Sequence, residues 1–441
     1  MDDLGTRAAA LAARHPARAR LRRVGTSRAG TPLWLLSIGH GSRQVLVVAG
    51  PHPNEPVGGA TALRLAERAL ADPRLTEGAD ATWNLLLCLD PDGLRHNEGW
   101  LSGPYSLGHY VRNFFRPGFL EQPEWLPHGA DRAALPETRA LLALHEELRP
   151  FLQCSLHGVD VGGGFVELTH DLPGLAQRLA HTAARLGIPR ELGAYDTLYW
   201  PGLGPAVYRI PPPRRGDLTA AITEAAVEST WCHPRRYGTV TAVVEAPMWG
   251  VAAVADGSPP TDAEGVLRSV SRTLRHDTRL LRQLLGRLRP HLPGTEHTAR
   301  LLAPVDDYLL VCPRLADAWD PDTEDGTGRP LPPLSTAHLV ALRIAGRRLA
   351  LRTAGLLHQL VTSAGRDPAE VLPELDGLVD RWCADYRDGC AARWIPVARQ
   401  AEYQARAVLA AFELAVRHPP TGSRSGDPGW GCGAAVPMHQ E

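Results

Sequence analysis

A histidine and a glutamate three residues apart, His52 and Glu55, follow the apolar run 45–49. In open α/β sheets, ligands bind beyond the carboxyl ends of the strands, where a tight turn can aim both side chains at one point. A catalytic zinc ion takes three nitrogen or carboxylate ligands and leaves one position open for water. This pair supplies two ligands, and His157, which follows the apolar run 151–156, supplies a third.

A further carboxylate, Glu245, closes the apolar run that begins at Thr239. Burial of a carboxylate at the end of an apolar strand costs free energy unless the carboxylate is paired with a cation or takes part in catalysis. Beside a zinc-activated water, it is the general base that amide hydrolysis requires. Each residue also has a structural interpretation: the His52–Glu55 pair fits a polar surface, and His157 fits a core histidine that caps a strand. Glu245 equally fits a carboxylate paired with an arginine.

The elements that must position these residues are predicted from periodicity. Apolar runs alternate with helix-like segments, which favours an α/β fold with a largely parallel sheet whose strands are buried on both faces. The strands are predicted at Pro32–Ile38 and at 44–50, 83–89, 151–156, 164–168 and 239–245, and the helices at 8–22, 58–70, 137–148 and 173–186.

The pattern changes after about residue 260, where strand signals almost vanish. Leu-, Ala- and Arg-rich periodic stretches at 262–288, 296–318, 334–364 and 368–416 predict amphipathic helices of a bundle. A Pro-, Gly- and Ser-rich end predicts disorder. The predicted division is a catalytic α/β domain at 1–255, a helical domain at 256–418 and a disordered tail at 419–441.

Composition limits the classes of function. The formal net charge of -1 gives no overall field that favours nucleic acid or an anionic membrane. The acidic start lacks a signal-peptide pattern, and no apolar stretch of about 18 residues predicts a membrane span. The 7 cysteines are scattered, as reduced thiols are. These features predict a cytoplasmic location, with no nucleic-acid or membrane partner.

Five motifs occur in a fixed order: His52-x-x-Glu55, Asp90-Pro91-Asp92-Gly93, Arg112-Asn113-Phe114, Ser155-Leu156-His157-Gly158 and Glu245. With the lead-in from Gly25 to Pro32, this order resembles the zinc metallocarboxypeptidases of the carboxypeptidase A type over roughly residues 20–250. The resemblance implies a carboxypeptidase-like mixed sheet flanked by helices and one zinc ion per chain. It also implies hydrolysis of an amide bond next to a terminal carboxylate.

The resemblance also implies roles for single residues. His52, Glu55 and His157 match the zinc ligands, and Glu245 matches the catalytic glutamate. Arg112, beside Asn113, matches the arginine that grips the terminal carboxylate of the substrate, a task that suits a bidentate guanidinium. For the arginine that polarises the scissile carbonyl there are two candidates, Arg95 and Arg116.

The sequence departs from the family at three points. Val111 stands where the family has an asparagine before the carboxylate-binding arginine, and Asp90 replaces the first asparagine of Asn-Pro-Asp-Gly. The tyrosine that closes over the substrate has no clear match, and Tyr237 and Tyr208 are candidates by position. The uncharged stretch Ser229-Thr230-Trp231 lies where the family places its specificity pocket, which disfavours a charged terminal residue.

Two alternatives remain open. The first is a zinc-dependent deacylase of N-acyl amino acids, similar to the desuccinylase and aspartoacylase group, which the loss of the asparagine at Val111 favours. The second is an inactive binding or scaffold protein, which the helical domain favours, although all three ligands and Glu245 are present. Expected partners are a peptide or acylated amino acid substrate. The helical domain could form the interface of a homo-oligomer or a docking site for a precursor or carrier.

Overall fold

A computed structural model describes residues 2–127, 134–211, 226–323, 331–364 and 370–417. The predicted disordered tail lies outside the described residues. Within these ranges, every helix is either too short or too polar to cross a membrane.

A mixed sheet forms the centre of the fold. Its order is β1-β2-β4-β3-β6-β11-β7-β9-β8, with β12 paired to β11, while β10 and β5 form a separate two-stranded sheet. The central pairs β4/β3, β3/β6 and β6/β11 are parallel, which confirms the predicted fold class. The strands are β1 (Ala19–Thr26), β2 (Pro32–Ile38), β3 (Arg43–Ala49), β4 (Ala81–Leu86), β5 (Trp125–Pro127), β6 (Leu152–Gly162), β7 (Phe165–Leu168), β8 (Gly202–Gly204), β9 (Val207–Arg209), β10 (Ala226–Ser229), β11 (Val240–Gly250) and β12 (Arg393–Trp394).

Helices cover both faces of this sheet. One face packs its buried aliphatic side chains against α1, α2, α6 and α11, and the other packs against α5 and the helical region. The helices of the described chain are α1 (Asp2–Arg14), α2 (Val57–Ala71), α3 (Pro91–Leu101), α4 (Leu107–Asn113), α5 (Pro136–Leu148), α6 (Leu175–Leu186), α7 (Ala263–Leu288), α8 (Glu296–Trp319), α9 (Thr336–Ser363), α10 (Leu372–Ala384) and α11 (Val397–Arg417).

Two predicted helices differ from the observed ones. The segment 8–22 is helical only to Arg14, because Pro16 stops the helix and the alternating residues that follow form β1. The run 368–416 is broken into α10 and α11, and β12 lies between them and pairs with Trp249 and Gly250 of β11. Helical periodicity alone does not reveal such a break.

The sheet register creates the space for the site. His157 of β6 lies opposite Glu245 of β11, and both strands continue well beyond these residues, to Gly162 and Gly250. The two residues are therefore not at strand ends as predicted. The neighbouring strand β3 stops at Ala49, opposite Leu156, so the turn after β3 lies directly beside His157.

The last helix, α11, returns to the sheet instead of joining the other carboxyl-terminal helices. Its side chains belong to the core formed with α2, α6 and β11. Buried Gln404 donates a hydrogen bond from Nε2 to the backbone carbonyl of His157 at 2.6 Å and accepts one from Thr61 Oγ1 at 2.7 Å. The predicted helical domain at 256–418 stays a prediction. Although α11 falls inside that range, it packs against the sheet of the predicted catalytic domain.

Glu402 of α11 yields a test of this attachment. Its carboxylate bonds Arg64 and Arg68 of α2 at 2.6 Å and Arg406 at 2.5 Å. Although burial raises it, hydrogen bonds from Arg68, Arg64 and Arg406 lower the pKa of Glu402 to about 2. A carboxyl group whose folded pKa is depressed stabilises the fold above its unfolded pKa and loses that contribution as pH falls toward the folded value.

The expected result for Glu402→Gln is a free energy of unfolding lower by about 1–2 kcal/mol at pH 7. This value is smaller than the pKa shift alone implies, because the arginines are about one-third exposed and solvent screens their charges. The difference from wild type should vanish as pH falls from roughly 4.5 to 2 in denaturant titrations. Glu67→Gln, an exposed change on α2, is the control. A constant difference at all pH values would contradict the ion-pair explanation.

Candidate metal centre

Three ligand atoms converge beside the end of β3. His52 Nδ1 lies 3.0 Å from Glu55 Oε2 and 3.1 Å from His157 Nδ1, and Glu55 Oε2 lies 3.4 Å from His157 Nδ1. Metal–ligand bonds of about 2.0–2.2 Å in a tetrahedron separate neighbouring ligand atoms by roughly 3.3–3.6 Å. The residues therefore fit one zinc ion, and all three side chains are buried.

The other ring nitrogens are held from outside the cluster. His157 Nε2 lies 2.9 Å from Ser155 Oγ, and His52 Nε2 lies 2.5 Å from Glu124 Oε1. If each Nε2–H donates to its oxygen, both Nδ1 atoms present lone pairs to the same point. Such outer partners fix the tautomer and orientation of histidine ligands and raise their basicity.

Glu124 is positioned by backbone contacts. It precedes β5, which pairs with β10, and its carbonyl accepts a hydrogen bond from Thr230 N at 2.8 Å. Its second oxygen, Oε2, is buried, has no hydrogen-bond partner among the residues that the structure describes, and lies 3.8 Å from His157 Nε2. The two-stranded sheet therefore places a second buried carboxylate behind the ligands.

Burial and neighbouring charges together set the pKa values of the three ligand residues. Burial opposes ionisation of Glu55, yet His52, His157 and Arg116 lower the pKa of this carboxyl well below its usual range. Burial lowers the pKa of His157, which favours the neutral form that a metal ligand needs. Burial and Arg116 also act to lower the pKa of His52, but Glu124 and Glu55 outweigh them and raise it.

Arg116 is the arginine that lies against the cluster. Its guanidinium donates to Glu55 Oε1 at 3.0 Å and to Gln122 Oε1 at 3.1 Å, and Nη2 lies 2.9 Å from His52 Nε2. If a metal ion is bound to His52 Nδ1, the proton on His52 Nε2 is donated to Glu124. The contact between Arg116 Nη2 and His52 Nε2 is then the one that a substrate oxygen can replace. An oxygen anion formed beside the ligands would find this donor within reach.

Glu245 faces the same site and, within the described residues, forms no ion pair with an arginine. Its Oε1 lies 4.0 Å from His157 Nδ1, and its buried Oε2 has no hydrogen-bond partner in the part of the chain that the structure describes. Burial, followed by the carboxylates of Glu55 and Glu167, holds the pKa of Glu245 well above its usual range. The structural alternative, a carboxylate paired with an arginine, does not describe this side chain.

Comparisons with known proteins agree with this geometry. Residues 6–161 match the family model described as zinc carboxypeptidase. Over this segment, about a third of the chain, the sequence is similar to the zinc carboxypeptidase family. The match includes all three ligand residues and ends before Glu245 and the helical region. It confirms the resemblance to zinc carboxypeptidases that the sequence motifs predict.

Solved zinc carboxypeptidase structures resemble only part of the chain. A metallo-carboxypeptidase from Burkholderia cenocepacia is 17% identical, with a TM-score of 0.34 over 55% of this chain and 60% of that one. Carboxypeptidase A from Helicoverpa armigera is 16% identical, with a TM-score of 0.34 over 54% and 62%. The chain thus spans less than two-thirds of the length of each. A search of curated proteins found no match.

Several residues implied by the family resemblance lie elsewhere. Arg95 of α3 donates to Asp2 at 2.9 Å and is 45% exposed, so it is not beside the ligands. Asn113 Nδ2 donates to the carbonyl of His109, one turn back in α4, at 2.8 Å. Tyr237 packs between Arg149 and His233. The structure brings none of these three to the cluster.

Arg112 is already occupied by carboxylates of the helical region. Its Nε donates to Asp376 Oδ1 at 2.9 Å, and its Nη2 donates to Asp380 Oδ1 at 2.8 Å. Tyr208, the other tyrosine candidate, donates to the carbonyl of Glu191 at 2.9 Å. The role predicted for Arg112 therefore requires two ion pairs to be exchanged for a substrate carboxylate.

Two of the recognised motifs are structural. Asp90 caps α3 by accepting from Gly93 N at 2.8 Å. Asp92 accepts from Ser27 Oγ at 2.8 Å and Thr31 Oγ1 at 2.7 Å, which fixes the turn of the lead-in segment. The family likeness of these stretches reflects the scaffold around the site.

A buried polar network, missed in the sequence, joins the helical region to the metal-binding turn. Arg352 of α9 binds both oxygens of Asp160 at 2.9 Å. Asp160 Oδ1 also accepts from Tyr110 at 2.9 Å and from Asn54 Nδ2 at 3.4 Å. Asn54 lies between two ligands, so a helix beyond the family match supports the turn that carries them.

Proposed function

We propose that the chain is a zinc-dependent metallocarboxypeptidase that hydrolyses an amide bond next to a terminal carboxylate of a peptide or peptide-like substrate. The observation that carries the proposal is the convergence of three ligand atoms, within 4.8 Å of one another, beside Glu245, whose Oε2 has no hydrogen-bond partner among the described residues. A cytoplasmic location, a homo-oligomer and docking of a precursor or carrier stay predictions.

Each residue has a distinct task in this mechanism. His52, Glu55 and His157 would hold the zinc ion, which acts as a Lewis acid that acidifies water and polarises a carbonyl oxygen. Glu245 accepts a proton from the attacking water and returns it to the leaving amine nitrogen. Arg116 donates hydrogen bonds to the oxygen that becomes negative as water adds to the carbonyl carbon.

Deacylation of N-acyl amino acids is the second candidate. An N-acyl amino acid presents the same amide bond next to the same carboxylate, so the residues would perform identical steps. Val111, which stands where the family has an asparagine, is the feature that favours this candidate. The engagement of Arg112 with Asp376 and Asp380 bears on both candidates alike, because both substrates carry this carboxylate. The length of the acyl part separates the two functions.

The substrate class can be tested with zinc-loaded protein. We expect hydrolysis of short blocked peptides with a free carboxyl terminus, complete loss after chelation and recovery with added zinc. Carboxyl-amidated peptides should be poor substrates, and N-acetyl amino acids should be cleaved more slowly than peptides if the chain is a carboxypeptidase. The reverse order would establish the deacylase. No hydrolysis of either class by zinc-loaded protein would contradict an enzymatic role.

A further inference from the structure

Residues 114–124 form a segment that carries two side chains of the metal centre. Arg116 donates a hydrogen bond to the ligand Glu55 at 3.0 Å, and Glu124 lies 2.5 Å from the ring nitrogen of the ligand His52. The regular structure of the segment is one short 3-10 helix of 3 residues. Contacts with other parts of the chain must therefore fix where the arginine and the glutamate lie.

Two helices beyond the family match hold this segment by its backbone. Near the start of the segment, Gln359 Nε2 of α9 donates a hydrogen bond to the carbonyl of Phe114 at 2.7 Å. In the middle, the amide of Phe119 donates to Asp307 Oδ2 of α8 at 2.7 Å. Arg116 lies between these two anchored positions in the chain.

The segment also lies in close contact with α8. Gly118 is buried, and a Cβ atom placed on it would come within 3.0 Å of Asp307 Oδ2 and 3.2 Å of Ala303 Cβ. Because such distances leave little room for a side chain, the backbone at this glycine can rest directly against the helix. The close approach brings the amide of Phe119 to the carboxylate that accepts its hydrogen bond.

Helices within the family match bond the two ends of the segment. Asn97 of α3 bonds its backbone near the start at 2.8 and 2.9 Å, and Thr138 of α5 donates to its backbone near the end at 2.8 Å. In the part of the chain that the structure describes, the backbone between these ends bonds Asp307 and, at an exposed position, Arg28 at 3.1 Å. Asp307 is therefore the half-buried anchor of the middle of the segment.

We propose that Asp307, with Gln359, is a positioning residue of the metal centre, which holds residues 114–124 so that Arg116 and Glu124 face the ligands. The inference rests on the proposed function and gives the helical region a part in it. An outer carboxylate raises the affinity of a histidine for a metal ion, so displacement of Glu124 weakens zinc binding. Arg116 acts on the oxygen that becomes negative in the transition state, so its displacement lowers kcat.

Zinc affinity, measured by competition with a chelator, tests this inference without requiring activity. We expect Asp307→Ala to bind zinc about tenfold more weakly than wild type at a temperature where both proteins are folded. Asp307→Asn keeps an acceptor for the amide of Phe119 and should recover most of the loss. Asp306→Ala removes an exposed carboxylate of the same helix, which pairs with Arg289, and should bind zinc like wild type.

Equal zinc affinity in wild type and Asp307→Ala would overturn the inference. An equal loss in Asp307→Ala and Asp307→Asn would also overturn it, because the hydrogen bond to Phe119 would then not be the cause. Gln359→Leu removes the other anchor and should weaken zinc binding in the same direction.

Thermal unfolding separates positioning from a purely structural role. Asp307→Ala leaves the amide of Phe119 without its acceptor, so we also expect a modestly lower Tm. A lower Tm with unchanged zinc affinity would show that Asp307 serves folding alone and would overturn the inference. In zinc-saturated protein, kcat of Asp307→Ala should fall about tenfold with KM nearly unchanged, as for the loss of an interaction made in the transition state.

Failure of the inference is distinguishable from failure of the proposed function. Zinc affinity that depends on Asp307, in a protein that hydrolyses no peptide, would uphold the positioning role and reject the activity. Hydrolysis by wild type, together with normal zinc affinity and normal kcat in Asp307→Ala, would uphold the activity and reject the positioning role.

Discussion

Replacement of Glu245 with glutamine is expected to lower kcat for amide hydrolysis by about a thousandfold, with the zinc content unchanged. Glutamine fills the same space and keeps an acceptor, but it cannot take a proton from water. Glu245 is not among the three converging ligands, and its Oε1 is 4.0 Å from one of them, His157 Nδ1.

Glu167→Gln is the matched control for this variant. Glu167 is buried on β7, and its backbone lies opposite Val243, two residues from Glu245, so the substitution alters the same face of the sheet. Burial raises the pKa of Glu167 as well, and Glu167 is not among the three residues whose ligand atoms converge. A near-normal rate in Glu245→Gln, or an equal loss in both variants, would contradict the assignment of Glu245 as the base.

The sequence predicted the ligands because their positions follow from local patterns. A turn after a buried strand carries His52 and Glu55, and another buried strand carries His157, so parallel neighbours bring all three together. The exact place of His157 was missed, because strand length depends on what β6 pairs with. The stop of β3 at Ala49, and not the end of β6, opens the site.

The residues that support and extend the site could not be predicted in the same way. Glu124 lies in a short irregular segment with no periodicity, 72 residues from the histidine that it bonds. Arg352 looks like an ordinary basic residue of an amphipathic helix. Its significance comes from tertiary packing, because α9 places it against Asp160. Family likeness identified Arg112, but only the structure shows Asp376 and Asp380 around it.

Replacement of His157 with alanine is expected to reduce zinc affinity by roughly a hundredfold or more and to abolish hydrolysis at ordinary zinc concentrations. A four-ligand zinc site is worth roughly 10–16 kcal/mol, so one ligand contributes about 3 kcal/mol or more. Gln404 bonds the backbone carbonyl of His157, which alanine keeps, so β6 remains anchored to α11. The loss should therefore appear in the metal site and not in the fold.

Elemental analysis and the zinc-dependent rise in Tm measure this effect, because a ligand that binds only the folded state stabilises it. His181→Ala, an exposed histidine on α6, is the control and should keep the zinc content of wild type. Near-stoichiometric zinc in wild type that falls in His157→Ala would join His157 to the His52–Glu55 pair. Wild-type protein that binds no zinc even after its addition would refute the hydrolase and turn attention to binding through the helical region.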